Sequence, residues 1–209
     1  MKRKRISFVI LLLFFLCVGV IFFSLVRFRG SKVIKVSGDT INLIPCEDIT
    51  FFRQDDIRWA EDKLGNSVYS MKRSGCLVTC IASALSMNIN AEGKTITPKS
   101  LNEQFSSGSV YDKEGNLQWE NLRQLDGGKS FDAEAYNFVS EKILQDCLEQ
   151  GKFPIVRVRV AGIGNVHYVL VVKLEDGKFI CMDPLKDELQ PLSHYGNRIY
   201  AIRCVSAKK

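Results

Sequence analysis

Residues 74–85 read SGCLVTCIASAL, an almost wholly apolar run with two cysteines four positions apart. The apolar pattern continues for two further residues, and a segment that is apolar on all sides predicts a helix buried at the centre of a domain. Ser74 stands where a helix N-cap is expected, with Gly75 as a flexible lead-in. Cys76 then falls in the first helical turn, whereas Cys80 lies one turn further in, where a packing role is expected.

A cysteine in the first turn of a helix is a candidate nucleophile. Only the thiolate reacts, and a helix N-terminus with a nearby imidazolium favours that form. The alternative is that Cys76 packs as a small apolar residue, which is the commonest role of cysteine. Spacing alone does not decide between the two.

The segments on either side of this helix predict an α+β fold, with N-terminal helices packed on a C-terminal antiparallel sheet. A capped helix is predicted over 97–105, where Thr precedes Pro. The tract 106–133, rich in Gly, Ser and Asp, is interpreted as a loop with room for a short hairpin. An amphipathic helix is predicted over 139–148. From Pro154 onward the apolar residues recur with a period of two, which is typical of strands. The predicted strands are IVRVRV (155–160), HYVLVVKL (167–174), KFICMD (178–183) and RIYAIRCV (198–205).

The chain has two histidines, and their settings differ. His167 opens a predicted strand directly after the glycine-rich AGIGNV, so a loop delivers it to the edge of the sheet. It is the candidate base for Cys76; the alternative is a strand-end histidine satisfied by the backbone. His194 lies in the turn PLSHYGN and is interpreted as a surface residue.

Asp183 is the candidate for orienting the imidazole, on an argument that depends on strand register. A three-residue hairpin loop, 175–177, places Leu174 opposite Lys178 and Asp183 opposite Val169. Val169 and His167 share a face of their strand, so Asp183 becomes a diagonal neighbour of His167. A two-residue turn would place Asp183 on the other face, and a turn-forming Asp before a proline is the alternative reading.

Gln54 is the candidate oxyanion donor. Acyl transfer by a thiol needs donors for the developing negative charge, commonly one backbone N–H and one side-chain amide. The N–H of Cys76 is at the predicted helix start, and Gln54 carries the amide. The alternative is a loop glutamine in water.

Taken together, these residues resemble the papain-like cysteine peptidases of the bacterial C39-like group, relatives of the bacteriocin-processing peptidases that cut after double-glycine leaders. The resemblance covers about residues 50–204. It implies that Cys76 is the nucleophile, His167 the general base and acid, Asp183 the residue that orients His167, and Gln54 the oxyanion donor. It rests on Gln54-Asp55 with Trp59, Gly75-Cys76, TITPKSL at 95–101, a His that opens a strand, and MDP at 182–184. Trp59 then has a structural role.

The N-terminus predicts a membrane segment. The chain has 29 Lys and Arg against 23 Asp and Glu, but the first 35 residues hold eight of these cations and no acid. The remainder therefore carries a slight negative charge, which argues against nucleic-acid binding. Residues 6–26 carry no charge and are long enough to span a bilayer as a helix. A cleaved signal peptide is the alternative. We expect an uncleaved anchor with the N-terminus in the cytosol and the domain outside.

These features predict an N-terminal anchor or signal segment over 1–30, a linker over 31–49 and a peptidase domain over 50–209. Seven cysteines fit no disulfide framework, so buried thiols are expected and no particular bridge can be assigned. The histidines and cysteines lack metal-ligand spacing and no glycine-rich phosphate loop opens a helix, so no cofactor is expected.

The predicted function is therefore a membrane-anchored extracytoplasmic cysteine peptidase, with a peptide or protein as substrate. Two alternatives stay open. The same residues would serve a cell-wall amidase, a transpeptidase or an isopeptide hydrolase, because loops rather than the catalytic residues set the substrate. A non-catalytic peptide-binding domain on the same scaffold is the third reading. Oligomeric state is not predicted.

Overall fold

The structure, a computed structural model, describes residues 2–36, 42–89, 96–136 and 138–208. It divides into two units, Met1–Ser31 and Lys32–Lys209. In the first unit, helix α1 spans Lys2–Arg27. Its stretch Ile10–Arg27 is long and apolar enough to cross a membrane, a test that a signal sequence near the N-terminus also passes.

The second unit contains the remaining helices and all the described strands. The helices are α2 (Met71–Ser74), α3 (Cys76–Ile89), α4 (Pro98–Ser107), α5 (Trp119–Gly128) and α6 (Glu141–Glu149). The strands are β1 (Lys32–Val33), β2 (Phe131–Tyr136), β3 (Pro154–Arg159), β4 (Val166–Glu175), β5 (Lys178–Met182), β6 (Gln190–Pro191), β7 (Arg198–Ile199) and β8 (Ala201–Ala207). Short 3₁₀ helices cover Val160–Gly162 and Leu192–Tyr195.

A six-stranded antiparallel sheet forms the C-terminal part of this unit, in the order β2-β8-β3-β4-β5-β6. Helix α3 packs against β3, β4 and β8 and also contacts α4. The α+β plan, with helices preceding an antiparallel sheet, is confirmed. One strand departs from strict segregation, since β2 lies between α5 and α6 in the chain.

Helix α3 is as buried as its composition predicts. Cys80, Ile81, Ala82, Ala84 and Leu85 are all fully buried, because the helix has apolar or small side chains on every side and lies between the sheet and the neighbouring helices. The expected N-cap is wrong: Ser74 is the last residue of α2, which runs into α3 through Gly75.

Capping chemistry fixes the two other predicted helices. Thr97 accepts a hydrogen bond from the Ser100 N–H, and Ser100 in turn accepts from the Thr97 N–H, which closes a capping box at the start of α4. Ser140 caps α6 through the Ile143 N–H. The predicted amphipathic face of α6 is buried as expected, through Ile143, Leu144, Cys147 and Leu148.

The loop predicted over 106–133 is wrong. The tract contains α5 and the start of β2. The short hairpin that the sequence analysis allowed for is present, with the bridge Tyr111↔Leu117. Helix α5 is hard to recognise from the sequence because its C-terminal end, with Asp126 and Gly127, has the composition of a loop. The backbone is irregular at the same place, since both residues adopt left-handed angles. Strand β2 is an edge strand in which only Phe131 and Ala133 are buried.

The last predicted strand is interrupted. Residues 198–205 form β7 and β8, separated at Tyr200, whose N–H donates to the carbonyl of Arg157. Strand β7 pairs with β1, which lies in the segment expected to be a linker, whereas β8 pairs with β2 and β3. Ile34, directly after β1, is buried in the core.

Candidate active site

Cys76 is the first residue of α3, at the end of the helix where backbone N–H groups point outward. The turn that presents it is tight. The Gly75 N–H donates to the Met71 carbonyl at 2.7 Å, and a Cβ on Gly75 would lie 2.5 Å from that carbonyl oxygen. Gly75 is therefore required by close approach of the backbone and not, as expected from sequence, by flexibility. The Cys76 side chain is half-buried.

His167 and Asp183 form a buried hydrogen-bonded pair. The Nε2 of His167 lies 2.7 Å from Oδ1 of Asp183, and each residue is only 3% exposed. The imidazole also lies close enough to the Cys76 side chain for the two groups to interact electrostatically. Because Nε2 is engaged by Asp183, Nδ1 is left for the thiol. Cys76, His167 and Asp183, which lie far apart in the chain, are thus brought together, with Asp183 hydrogen-bonded to His167 and Cys76 beside the imidazole.

The electrostatics of this arrangement favour a charged imidazole. Burial by itself lowers the pKa of His167, but the hydrogen bonds and charges of Asp183 and Cys76 outweigh burial and raise that pKa to about 9. For Asp183 the effects have the opposite signs. Burial raises the pKa of this carboxyl group, but hydrogen bonds from His167, Tyr195 and the Leu185 N–H bring the pKa below its ordinary value. Asp183 is therefore ionised and His167 protonated at neutral pH.

The route by which Asp183 reaches His167 differs from the one that the sequence suggested. The hairpin between β4 and β5 has a two-residue turn, Asp176-Gly177, with Glu175 opposite Lys178, so the predicted three-residue loop is wrong. A β-bulge between Val171 and Lys173 then shifts the register by one residue. Leu170 pairs with Met182, and the next residue, Asp183, returns to the face of the sheet that carries His167.

Tyr195 is a member of the site that sequence reasoning missed. Its hydroxyl donates to Oδ2 of Asp183 at 2.5 Å, while the Leu185 N–H donates to Oδ1 at 2.8 Å. The carboxylate is thereby held on both oxygens. Tyr195 lies in the 3₁₀ helix beside the exposed His194, whose surface placement was correctly predicted. The only local signal was an aromatic residue with a polar end next to a turn glycine, which is too common to single out.

Gln54 lies between the two halves of the site. Its backbone N–H donates to the Pro184 carbonyl at 3.0 Å, next to Asp183, and its Nε2 donates to the Lys72 carbonyl at 2.7 Å, shortly before Cys76. Its Oε1 is buried without a hydrogen-bond partner among the described residues. One of the two Nε2 hydrogens is used by Lys72, so the other is not consumed by that bond.

The loop that carries Gln54 is fixed by Trp59. The indole is 2% exposed, its Nε1–H donates to the Arg53 carbonyl at 2.8 Å, and the Arg58 guanidinium stacks over the ring. Phe52 meets the indole edge to face. The arrangement gives Trp59 a packing role in the segment that positions Gln54.

A cavity of about 320 Å³ borders Cys76, and its lining is mainly apolar and aromatic. Part of the wall comes from the hairpin at 111–117, which Asp112 stabilises by accepting hydrogen bonds from the N–H groups of Glu114 and Asn116. Glu114 is the charged residue of the lining. The other contributors include Leu77, Tyr111, Leu117, Trp119 and Tyr168.

Cys80 contrasts with Cys76 although it lies on the same helix. It is fully buried, and its thiol donates to the Tyr168 carbonyl at 3.5 Å. Burial, with the charges of Cys76 and Asp183, raises the pKa of Cys80 well above its ordinary value. An inert, packed thiol is the result.

Within the described ranges, no three His, Cys, Asp or Glu side chains are grouped so that they could hold a metal ion.

Comparison with solved structures finds proteins of similar fold. A crystal structure from Bacillus anthracis, described as a "putative C39-like peptidase", matches with 14% sequence identity and a TM-score of 0.47. The match covers 81% of this chain and 100% of that one. Neither a scan against protein-family models nor a search of curated proteins found a match.

The hydroxyl of Tyr195 gives a testable contribution to stability. Replacing Tyr195 by Phe leaves Oδ2 of the buried Asp183 without this donor, so the free energy of unfolding should fall by about 1–3 kcal/mol. Chemical denaturation of the two proteins at neutral pH measures the change. Tyr69→Phe, at a residue that is 44% exposed, is the control and should alter stability by less than about 0.5 kcal/mol. Equal stability of Tyr195→Phe and the unmutated protein would contradict the role assigned to the hydroxyl.

Proposed function

We propose that the unit Lys32–Lys209 is a cysteine peptidase in which Cys76 is the nucleophile. The observation that carries this proposal is the buried Asp183–His167 pair with the half-buried Cys76 beside it, at the start of a helix. A helix N-terminus and an adjacent imidazolium are the two features that make a thiol reactive. The motifs shared with papain-like peptidases support the same conclusion.

In the first half-reaction, the sulfur of Cys76 attacks the carbonyl carbon of the peptide bond. Before the attack, Nδ1 of His167 already carries the proton that the thiol has lost, and the charge of the imidazolium stabilises the thiolate beside it. When the tetrahedral intermediate collapses, the carbon–nitrogen bond breaks and His167 gives the proton to the leaving amine. The acyl group remains on Cys76 as a thioester. Asp183 keeps the ring oriented and balances its charge throughout.

In the second half-reaction, water attacks the thioester carbon. His167, now neutral, accepts a proton from the water at Nδ1, and the carbon–sulfur bond breaks as the carboxylic acid is released. The proton returns to the sulfur or stays on the imidazole as the ion pair. The enzyme is then back in its starting state.

The oxyanion of both intermediates needs donors. In this proposal, the N–H of Cys76 supplies one, and the Nε2 hydrogen of Gln54 that does not bind Lys72 supplies the other. The two hydrogen bonds of Gln54, to Lys72 and Pro184, support this assignment because they hold the amide between the segments that carry Cys76 and Asp183. The cavity beside Cys76 would receive a side chain of the substrate.

We further propose that α1 is an uncleaved membrane anchor and that the catalytic unit is extracytoplasmic. The length and apolar composition of Ile10–Arg27 support the anchor. Cations lie on both sides of the apolar segment, four within residues 2–5 and four at Arg27, Arg29, Lys32 and Lys35. The proposed outward orientation rests on the denser cluster ahead of the segment.

Selective alkylation tests the nucleophile. Cys76 and Cys46 are both half-buried, so exposure alone predicts similar rates of reaction with iodoacetamide. We expect Cys76 to react at least about 10-fold faster near neutral pH, because an imidazolium and a helix N-terminus favour its thiolate. Peptide mapping by mass spectrometry resolves the two sites. In His167→Ala the advantage of Cys76 over Cys46 should disappear.

Turnover then distinguishes the candidate activities. The unmutated protein, incubated with a peptide library and separately with peptidoglycan fragments, should cleave peptides, and Cys76→Ala should lower the rate at least about 10³-fold. Cys46→Ala is the matched control and should retain activity. Turnover of peptidoglycan fragments alone would identify an amidase instead. Binding without turnover of any substrate, together with equal labelling of Cys76 and Cys46, would contradict an enzymatic role.

The raised pKa of His167 predicts the alkaline side of the pH–rate profile. His167 must carry a proton for the leaving amine, so kcat should fall as the pH rises through about 9. Asp183→Asn removes the charge that raises the pKa of His167. The pH at which kcat falls should therefore decrease by at least about one unit. Asp187→Asn, at an exposed acid paired with Arg53, is the charge-matched control. An unchanged alkaline side of the profile in Asp183→Asn would rule out this coupling.

Fractionation tests the anchor. The protein should remain in the membrane fraction after carbonate extraction with an intact mass that includes residues 1–30, and protease added to spheroplasts should digest the catalytic unit. A soluble species that lacks the N-terminal segment would show that the segment is a cleaved signal. Protection of the unit until the cells are lysed would overturn the outward orientation.

A further inference from the structure

Two cysteines, Cys147 on α6 and Cys204 on β8, lie next to each other outside the candidate active site. The sulfur atoms of Cys147 and Cys204 are 2.8 Å apart, and both residues are 2% exposed. The distance is within about 1 Å of a disulfide bond length. Among the described residues, no other two cysteine sulfurs lie within hydrogen-bonding distance of each other.

The surroundings of the pair are polar and arranged around Cys147. The Tyr136 hydroxyl lies 3.6 Å from the Cys147 sulfur and donates to Glu134, which is bound on its other oxygen by the Lys152 ammonium at 3.0 Å. Glu134 is also the register partner of Cys204 across β2 and β8.

The two sulfurs differ electrostatically. The hydrogen bond from Cys204 outweighs burial and lowers the pKa of Cys147, and the nearby Tyr136 hydroxyl acts in the same direction. The hydrogen bond to Cys147 and burial both raise the pKa of Cys204. Cys147 is therefore the sulfur on which a thiolate forms first, and it is the attacking partner in any exchange.

We infer that Cys147 and Cys204 form an intramolecular disulfide bond when the chain folds in the presence of an oxidised thiol carrier. The Cys147 thiolate attacks one sulfur of the carrier disulfide and releases a carrier thiolate, which takes up the proton that Cys147 lost. The Cys204 thiolate then attacks the Cys147 sulfur and releases the second carrier thiolate, which takes up the Cys204 proton. Two protein thiols are oxidised and one carrier disulfide is reduced to two thiols.

The bond would join residues 57 positions apart. The enclosed segment includes β3, β4 and β5 and carries His167, Asp183 and Tyr195. A cross-link over such a span strongly lowers the conformational entropy of the unfolded chain and so stabilises the folded one. The inference does not depend on the proposed peptidase activity, since neither cysteine belongs to the candidate active site, and it fits the oxidising conditions found outside the cytosol.

Mass spectrometry of the full chain in detergent tests the bond directly. The protein is unfolded and refolded with oxidised and reduced glutathione, treated with N-ethylmaleimide, and digested with trypsin. We expect the peptide Ile143–Lys152 linked to Cys204–Lys208, and dithiothreitol should separate them. Recovery of both peptides with maleimide or glutathione on each cysteine, or linked to other cysteines, would overturn the inference. This measurement needs no variant and therefore does not depend on how a substitution folds.

Thermal unfolding provides the second measurement. The oxidised protein should unfold at a temperature roughly 5–15 °C higher than the same protein in dithiothreitol. Cys147→Ala and Cys204→Ala should each abolish this difference, while Cys46→Ala, a substitution at a half-buried cysteine with no sulfur partner among the described residues, should retain it. An equal difference in Cys147→Ala and Cys46→Ala would show that the effect of dithiothreitol has another origin.

Discussion

The hydrogen bond between Asp183 and His167 is the constraint on which the arrangement of this domain depends. An ionised carboxylate that is 3% exposed is costly to bury unless donors replace the water it has lost. Three donors do so, from the His167 ring, the Tyr195 hydroxyl and the Leu185 backbone. The end of β5, the turn after it and the 3₁₀ helix at 192–195 must therefore all hold fixed positions around one side chain.

The same constraint extends to the helical layer. Helix α3 packs on the strand that carries His167, which brings the start of the helix, and hence Cys76, beside the imidazole. Gln54 connects the two layers with one hydrogen bond to each side, and Trp59 fixes the loop that carries it. A displacement of either layer would break several of these bonds at once, so the site is supported by the packing of the whole unit.

The hairpin between β4 and β5 shows how a correct conclusion can follow from a wrong intermediate step. The sequence LEDGK suggested a three-residue loop, and that loop would bring Asp183 to the face of His167. The real turn has two residues, which alone would place Asp183 on the opposite face, and the bulge near Val172 corrects the register. Nothing in the all-apolar run VLVV marks a bulge, because its position depends on how neighbouring strands twist and pack.

The sequence by itself determined the features that depend on local chemistry. These are the apolar helix with Cys76 at its start, the Thr97 cap, the amphipathic face of α6, and the strands β3, β4 and β5, since side-chain periodicity and capping act within a few residues. Only the tertiary structure decided the partners of Asp183, the presence of α5 and β2 in a loop-like tract, and the contact between Cys147 and Cys204. Those features join residues that are remote in the chain, and their energies come from burial and register, which no short segment encodes alone.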